Sequence, residues 1–501
     1  MADDQQETIA FLSDPNSYDG VDRVETLETH ISLVFLAGER AYKLKRAVKF
    51  PYLDFSSIDR RRDFCEAELR LNRRTAPRLY LETRAIARGA DGRLAWGEQG
   101  ESVDWVVVMR RFDQSQRLDM IARAQRLEPG FLHRLAAHIA AFHDAAERRP
   151  ERGGAAALSA IVDENDECLR ASRSGVFPAG HVRELRDTSK DWLHRTGDLL
   201  DRRRAAGKIR RCHGDLHLRN ICVVDDEPVL FDCIEFSEAF ASIDVLYDLA
   251  FLLMDFEHQG DRASANLVIN RYLDLTDEDD GLAAMPLFLS LRAAIRAHVT
   301  ASACGSAEDA LAYLDQARAV LRRPAARLVA IGGLSGSGKS TVAASLAPEL
   351  GTRPGARLLR SDVIRKRLFG AEPESRLPEN AYTPEVTARV YERLRAQAET
   401  ALNAGYCAVI DAVSLRPEER LSFAAVAAKA GVEFTGIWLD APPDALAARV
   451  TARRNDASDA TAEIVMRQLG ADPGPIDWHR IQAGASPAES LTACRSALSL
   501  P

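Results

Sequence analysis

Short apolar runs at residues 31–36 and 41–44 flank Gly38, and a third lies at 103–109, which predicts a hairpin around the glycine and a further strand. Residues 1 to about 150 therefore read as strands with one or two helices. From Phe131 to Phe142, and again from about Val182 to Leu200, apolar positions recur at helical spacing, and this helical character continues to about Val320. Arg322-Arg323-Pro324 interrupts the pattern, because proline disfavours helix in the residue before it. Beyond it, apolar runs at 328–331, 358–359, 408–410 and 436–439 alternate with helix-prone stretches such as Thr341–Leu350. That alternation predicts a parallel sheet covered on both faces. The expected domains are residues 1–322 and 325–501.

Composition narrows the class. With 46% hydrophobic and 28% charged residues over 501 positions, the chain reads as an ordinary globular protein of two or three domains. The start is acidic and no uninterrupted apolar run spans a bilayer, so a cytoplasmic location without membrane association is expected. The eight cysteines are scattered, which suits reduced thiols. The spacing of Cys212, His213, His217 and Cys222 matches no common zinc pattern. Net charge is −8 and residues 327–501 are close to neutral, so neither half is a basic clamp for nucleic acid.

The sharpest chemical signal is Gly333-Leu334-Ser335-Gly336-Ser337-Gly338-Lys339-Ser340, which fits the Walker A template G-x-x-x-x-G-K-[ST] between a strand and a helix. Glycines allow the backbone to wrap an anion, the turn and helix start aim N–H groups at it, and Lys339 neutralises the outer phosphates. Ser340 offers an oxygen to magnesium, and Ser337 and Thr341 complete the nucleotide cradle. Two later strands end in carboxylates, Asp362 and Asp411, at the sheet edge where such folds bind ligands. Asp362 is a candidate base with Arg365 one turn on to grip the acceptor. Asp411 is a candidate for contact with the acceptor or, through water, with magnesium. Each carboxylate has a structural alternative as a helix cap. Arg449 and Arg453, four apart, suit a lid over the transferring group; solvated surface arginines are the alternative.

The second strong signal is His213-Gly214-Asp215-Leu216-His217-Leu218-Arg219-Asn220 followed by Leu230-Phe231-Asp232. It resembles the catalytic loop of a kinase, with Asp215 as base and Asn220 and Asp232 as magnesium ligands. The glycine after His213, and Asp244 to Ala250, are similar to aminoglycoside phosphotransferases and choline kinases. That resemblance implies that Asp248 braces the catalytic loop and that His143 lies on a helix behind it; a helix cap and a core histidine are the alternatives. It also calls for a strand lysine paired with a helix glutamate. Lys43 and Lys45 lie on one strand face, with Lys43 preferred, and Glu68 is chosen over Glu66. Met109 is expected near the adenine hinge. No G-x-G-x-x-G precedes the lysine, leaving Gly38 for the phosphate-covering hairpin. The acidic run Asp277 to Asp280 reads as a solvated turn, or alternatively as a recognition site for a cationic acceptor.

The second half resembles the P-loop kinases grouped with polynucleotide 5′-kinase, gluconate kinase and zeta toxin. The whole chain resembles bacterial proteins joining the two types. The resemblance implies an α+β bilobal kinase-like domain of the aminoglycoside phosphotransferase type followed by an α/β P-loop NTPase domain. Both would use ATP or another nucleoside triphosphate with Mg2+. The first acceptor would be a small molecule, the second a 5′-hydroxyl polynucleotide or a sugar-like hydroxyl. An alternative makes the first domain a pseudokinase or ligand sensor that regulates the second. The sequence leaves the oligomeric state open.

Overall fold

The computed structural model describes residues 5–50, 53–97, 99–172, 175–302, 306–452, 457–483 and 486–500. The chain forms two compact units, Met1–Gln259 with Leu291–Leu314, and Gly260–Ser290 with Asp315–Pro501.

The first unit opens with a six-stranded antiparallel sheet in the order Val24–Glu28, Ser32–Ala37, Arg40–Lys45, Glu101–Arg110, Tyr80–Arg88, Leu94–Trp96. Ala37 pairs with Arg40, leaving a two-residue turn in which Gly38 takes φ +55°, a conformation that glycine adopts without strain. Alternation sorts the lysine strand. Tyr42 and Leu44 join a core with Leu12, Phe35, Val106 and Val108. Ala41 lies on the opposite face, in a core with Cys65 of helix Ile58–Asn72. Lys43 and Lys45 share that second face with Ala41, so the sheet turns both towards the helix that carries Glu68.

Residues 1–150 hold four described helices rather than one or two. Gln6–Ser13 and Leu118–Arg123 are too short to build an apolar period that a sequence reading could separate from a loop. The second lobe is helical and includes Pro129–Ala145, Gly154–Ala171, Ala179–Ala205 and Val245–His258. Every residue of Val245–Glu257 is buried, so this last helix is the core of its lobe.

In the second unit, five parallel strands run in the order Arg357–Arg360, Ala408–Asp411, Arg327–Gly332, Glu433–Asp440, His479–Gln482. Val329, Ile331, Val409, Ile437 and Leu439 pack on Val342 and Leu346 of the helix after the phosphate loop. Residues 260–290 pack with this sheet. The reason is polar. Arg357–Arg360 is an edge strand, and Asn270 accepts from Leu358 N–H at 2.7 Å while Asn266 and Asn270 donate to the Ala356 carbonyl at 3.0 and 3.1 Å. Side-chain amides thus take up backbone groups that an edge would leave open.

The acidic run is only partly a solvated turn, because Asp277 and Asp280 are exposed while the two residues between them are not. Glu278 and Asp279 are buried, Asp279 accepts from Arg357 at 2.7 Å, and Asp277 binds Arg393 and Arg367. Asp279–Ser302 is, by length and composition, apolar enough to cross a bilayer, although Arg292 and Arg296 interrupt its apolar run. Most of it is buried inside the protein, as in the core helix of a globular domain.

Candidate active sites

In the first unit, Ser57 caps helix Ile58–Asn72 by accepting from Arg60 N–H, and the helix presents Glu68 with no exposed surface. Glu68 takes Lys43 Nζ on Oε1 at 2.8 Å and Lys45 Nζ on Oε2 at 2.6 Å. Glu66 instead faces solvent and pairs with Arg62. Lys43 also reaches Asp232 Oδ1 at 2.5 Å, so strand lysine, helix glutamate and the aspartate beyond the second hairpin converge. Asp232 sits at φ +64° with its N–H bound to the Tyr80 hydroxyl at 3.1 Å. Burial opposes charge on Lys43, but Asp232 and Glu68 outweigh it and hold its pKa well above the ordinary lysine value.

The catalytic-loop segment is fastened from behind. Asp244 caps helix Val245–His258, which leaves Asp248 inside the helix rather than at its cap. Asp248 accepts from the N–H groups of His213 and Gly214 at 3.0 and 2.8 Å, and His143 Nε2 lies 3.1 Å from it. Gly214 has φ +86°, and a Cβ there would come within 3.1 Å of Ala241, Ile234 and the Phe240 carbonyl, so the turn needs glycine. His213 Nε2 meets the Phe231 carbonyl at 2.9 Å, tying the loop to the residue before Asp232.

Asp215 keeps 37% of its side chain exposed. Its Oδ2 accepts from Asn220 Nδ2 at 2.8 Å and lies 3.3 Å from His217 Nε2. Burial raises its pKa, yet His217, His213 and Arg296 prevail and hold the carboxylate well below the usual range. Asn220 spends its amide N–H groups on Asp215, leaving its carbonyl oxygen as the remaining acceptor. Asn220 Oδ1 and the Asp232 carboxylate are hard oxygen donors of the kind that Mg2+ takes. Met109 is buried in the sheet, paired with Ala41 and Tyr80.

In the second unit the phosphate loop joins strand Arg327–Gly332 to helix Lys339–Leu346. Gly333 and Gly336 have positive φ, and a Cβ on either would lie 2.5 Å from a backbone oxygen, that of Leu439 or Leu446. At Gly338, φ is +93° and the missing Cβ faces open space. Lys339 is buried and donates to the Leu334 carbonyl at 2.9 Å, folding over its own loop. Ser337 Oγ is buried without a hydrogen-bond partner. An orphaned hydroxyl among glycines beside a lysine suits phosphate oxygens. Ser340 and Thr341 open the helix that follows.

Asp362 is the second residue of helix Ser361–Leu368, whose cap is Arg360, and Asp411 ends its strand well before the helix at Pro417. Neither is a helix cap. Arg360 Nε donates to Asp411 Oδ2 at 3.3 Å across neighbouring strands. Burial, then the Asp411 charge, pushes the Asp362 pKa up, partly offset by Arg360, Ser458 and Lys339. Arg365 donates to the Ala381 carbonyl at 2.7 Å and the Thr387 hydroxyl at 3.3 Å, and stacks on Tyr382. Two arms of its guanidinium fork are therefore engaged within the protein. Arg449, on helix Pro443–Ala452, reaches the Gly336 carbonyl at 3.5 Å. Arg453 lies outside the described residues.

Sequence reasoning passed over two participants. His217 sits two residues after Asp215 and faces its carboxylate. Glu235, three residues after Asp232, binds Lys45. Two lysines on one strand face, with one glutamate assigned to them, was the available signal that a second carboxylate was required.

Residues 48–288 match the family model described as the phosphotransferase enzyme family, and residues 328–471 match the AAA domain model. Both domains belong to kinase families, and the chain is an enzyme with an aminoglycoside phosphotransferase-type kinase domain followed by a P-loop domain. The chain is 30% identical over 483 residues to uncharacterized protein Rv2004c of Mycobacterium tuberculosis and to uncharacterized protein Mb2027c of Mycobacterium bovis, covering 93% of itself and 93% of each. It belongs to the family that these mycobacterial proteins represent. Among solved structures, a choline/ethanolamine kinase family protein from Mesorhizobium loti is 16% identical, over 64% of this chain and 94% of that one, with a TM-score of 0.39. A gluconokinase from Sinorhizobium meliloti is 22% identical, over 36% and 94%, with a TM-score of 0.25.

Proposed function

We propose that the chain is a two-site phosphotransferase in which each unit moves the γ-phosphoryl group of a nucleoside triphosphate, ATP foremost, to a hydroxyl. The observation that carries this is the pairing, in each unit, of a lysine-centred anion site with a separate carboxylate able to take a proton: Lys43 with Asp215, and Lys339 with Asp362. Magnesium, held by Asn220 and Asp232 in one unit and by Ser340 in the other, would neutralise charge on the phosphate oxygens when bound.

In the first unit, Asp215 accepts the acceptor's hydroxyl proton on its partly exposed carboxylate, which Asn220 and His217 hold in place through Oδ2. Lys43 turns from Asp232 to the triphosphate, and Glu68 keeps it oriented. In the second unit, the loop N–H groups and Lys339 hold the phosphates, and Asp362 takes the acceptor proton. Arg449 and Arg453 offset charge on the group in flight. Arg365 shapes the wall of the acceptor pocket and Asp411 contacts the acceptor. The functional domains are residues 1–322 and 325–501, with Met109 by the adenine. We place the first acceptor among small molecules and the second among 5′-hydroxyl polynucleotides or sugar-like hydroxyls. A cytoplasmic setting suits the seven free thiols described.

The test is incubation of wild type, Asp215→Asn and Asp362→Asn with γ-labelled ATP and a panel of 5′-hydroxyl oligonucleotides, nucleosides, sugars and aminoglycosides. Each substitution is expected to abolish labelling of a different acceptor. Labelling that survives both substitutions together contradicts the assignment.

A further inference from the structure

The first unit buries more charge than one lysine–glutamate pair requires. Five groups form an unbroken chain, Glu235–Lys45–Glu68–Lys43–Asp232, of three carboxylates and two ammonium groups. Exposure is 5% or less at Glu235, Lys45 and Glu68, then rises to 13% at Lys43 and 42% at Asp232. The inner end is thus fixed in the protein and the outer end opens to solvent. Lys45 Nζ also lies 4.9 Å from the centroid of the Phe55 ring, which closes its remaining side.

A buried pair that does nothing but hold the fold is a poor use of two charges, since desolvation offsets most of their attraction. The chain suggests why this one is present. If Glu68 had only Lys43, then sharing Lys43 with a phosphate would leave a fully buried carboxylate under-compensated. Lys45 removes that obstacle by occupying Glu68 Oε2, so that Oε1 alone restrains Lys43. Glu235 in turn compensates Lys45 and keeps it from being a second, competing cation in the nucleotide pocket.

We infer that Lys45 and Glu235 are positioning residues for nucleotide binding in the first unit, releasing Lys43 to exchange Asp232 for a triphosphate oxygen while Glu68 stays neutralised. This rests on the reading that the first unit binds a nucleoside triphosphate. Neither residue touches the phosphates; both act through Glu68.

The experiment measures the affinity of a non-hydrolysable ATP analogue with Mg2+ by calorimetry, in full-length protein carrying Lys339→Ala so that the phosphate loop is silent, alongside the melting temperature. Lys45→Met strands Glu235 and is expected to lower the melting temperature and to weaken binding by about tenfold or more. In the double variant Lys45→Met/Glu235→Gln, no carboxylate is stranded at 235, so the melting temperature recovers. Binding stays weak, because Glu68 has only Lys43. Lys45→Arg, which keeps the charge, is expected to bind within about threefold of the parent. A purely structural pair would show affinity recovering with stability in the double variant, and that result overturns the inference. Absence of binding in the Lys339→Ala parent removes the underlying reading of the first unit, and the inference with it.

Discussion

Under the proposed function the two units would meet one demand, holding phosphate oxygens beside a proton acceptor, with opposite materials. In the first, the anion site is made of side chains drawn from a strand, a helix and a hairpin, held together by ion pairs. In the second it would be a backbone loop, Gly333–Gly338, whose glycines take positive φ and over which Lys339 folds. The candidate bases differ in the same sense. Asp215 is surrounded by His217, His213 and Arg296 and held low, whereas Asp362 is desolvated next to Asp411 and pushed up.

The largest expected effect separates the units outright. Asp215→Asn should lower the first activity by about a hundred- to ten-thousand-fold and leave the second intact, with Asp362→Asn doing the reverse. Separate acceptor assays check this, and loss of both activities from either change would break the comparison.

Glycine substitutions should distinguish backbone from side-chain sites. Gly336→Ala places a Cβ 2.5 Å from the Leu446 carbonyl oxygen and should abolish nucleotide binding in the second unit. Gly338→Ala meets open space and suffers only the positive φ, a penalty of about 1–2 kcal/mol, or roughly tenfold in affinity. Equal losses from the two would mean that steric closeness is not what fixes the loop.

A smaller effect concerns pH. The base must be ionised, so activity falls as pH drops through its pKa. Asp362 is raised, which puts the acid limb of the second activity above the ordinary carboxylate value of about 4, and Asp215 is lowered, which puts that of the first below it. Lowering the pH should therefore reduce the second activity before the first. Coincident acid limbs in the two kcat profiles would show that the environments do not differ as described.

The same contrast explains what the sequence made legible. The phosphate loop is a contiguous word, bounded by Leu328–Ile331 and a helix, and its strand, turn and lysine could be read directly. The first site is scattered over nearly two hundred residues. Alternation placed Lys43 and Lys45 on one face but could not apportion them, since both side chains point at Glu68 and only the fold shows that each takes one of its oxygens. Arg365 was legible as a neighbour of Asp362, but its engagement by the Ala381 carbonyl depends on a segment sixteen residues away. The packing of residues 260–290 on the edge strand was hidden for a similar reason. Asn266, Asn270 and the acidic run look like ordinary solvent-facing polar residues until Arg357 and the open strand edge are brought against them.

The most direct test of two separate phosphate sites is binding stoichiometry. Calorimetry or equilibrium dialysis with a non-hydrolysable ATP analogue and Mg2+ should show two nucleotides per chain in wild type. One should remain in Lys339→Ala, and one in Lys43→Ala. A wild-type stoichiometry of one, or loss of all binding from Lys339→Ala alone, would contradict the account.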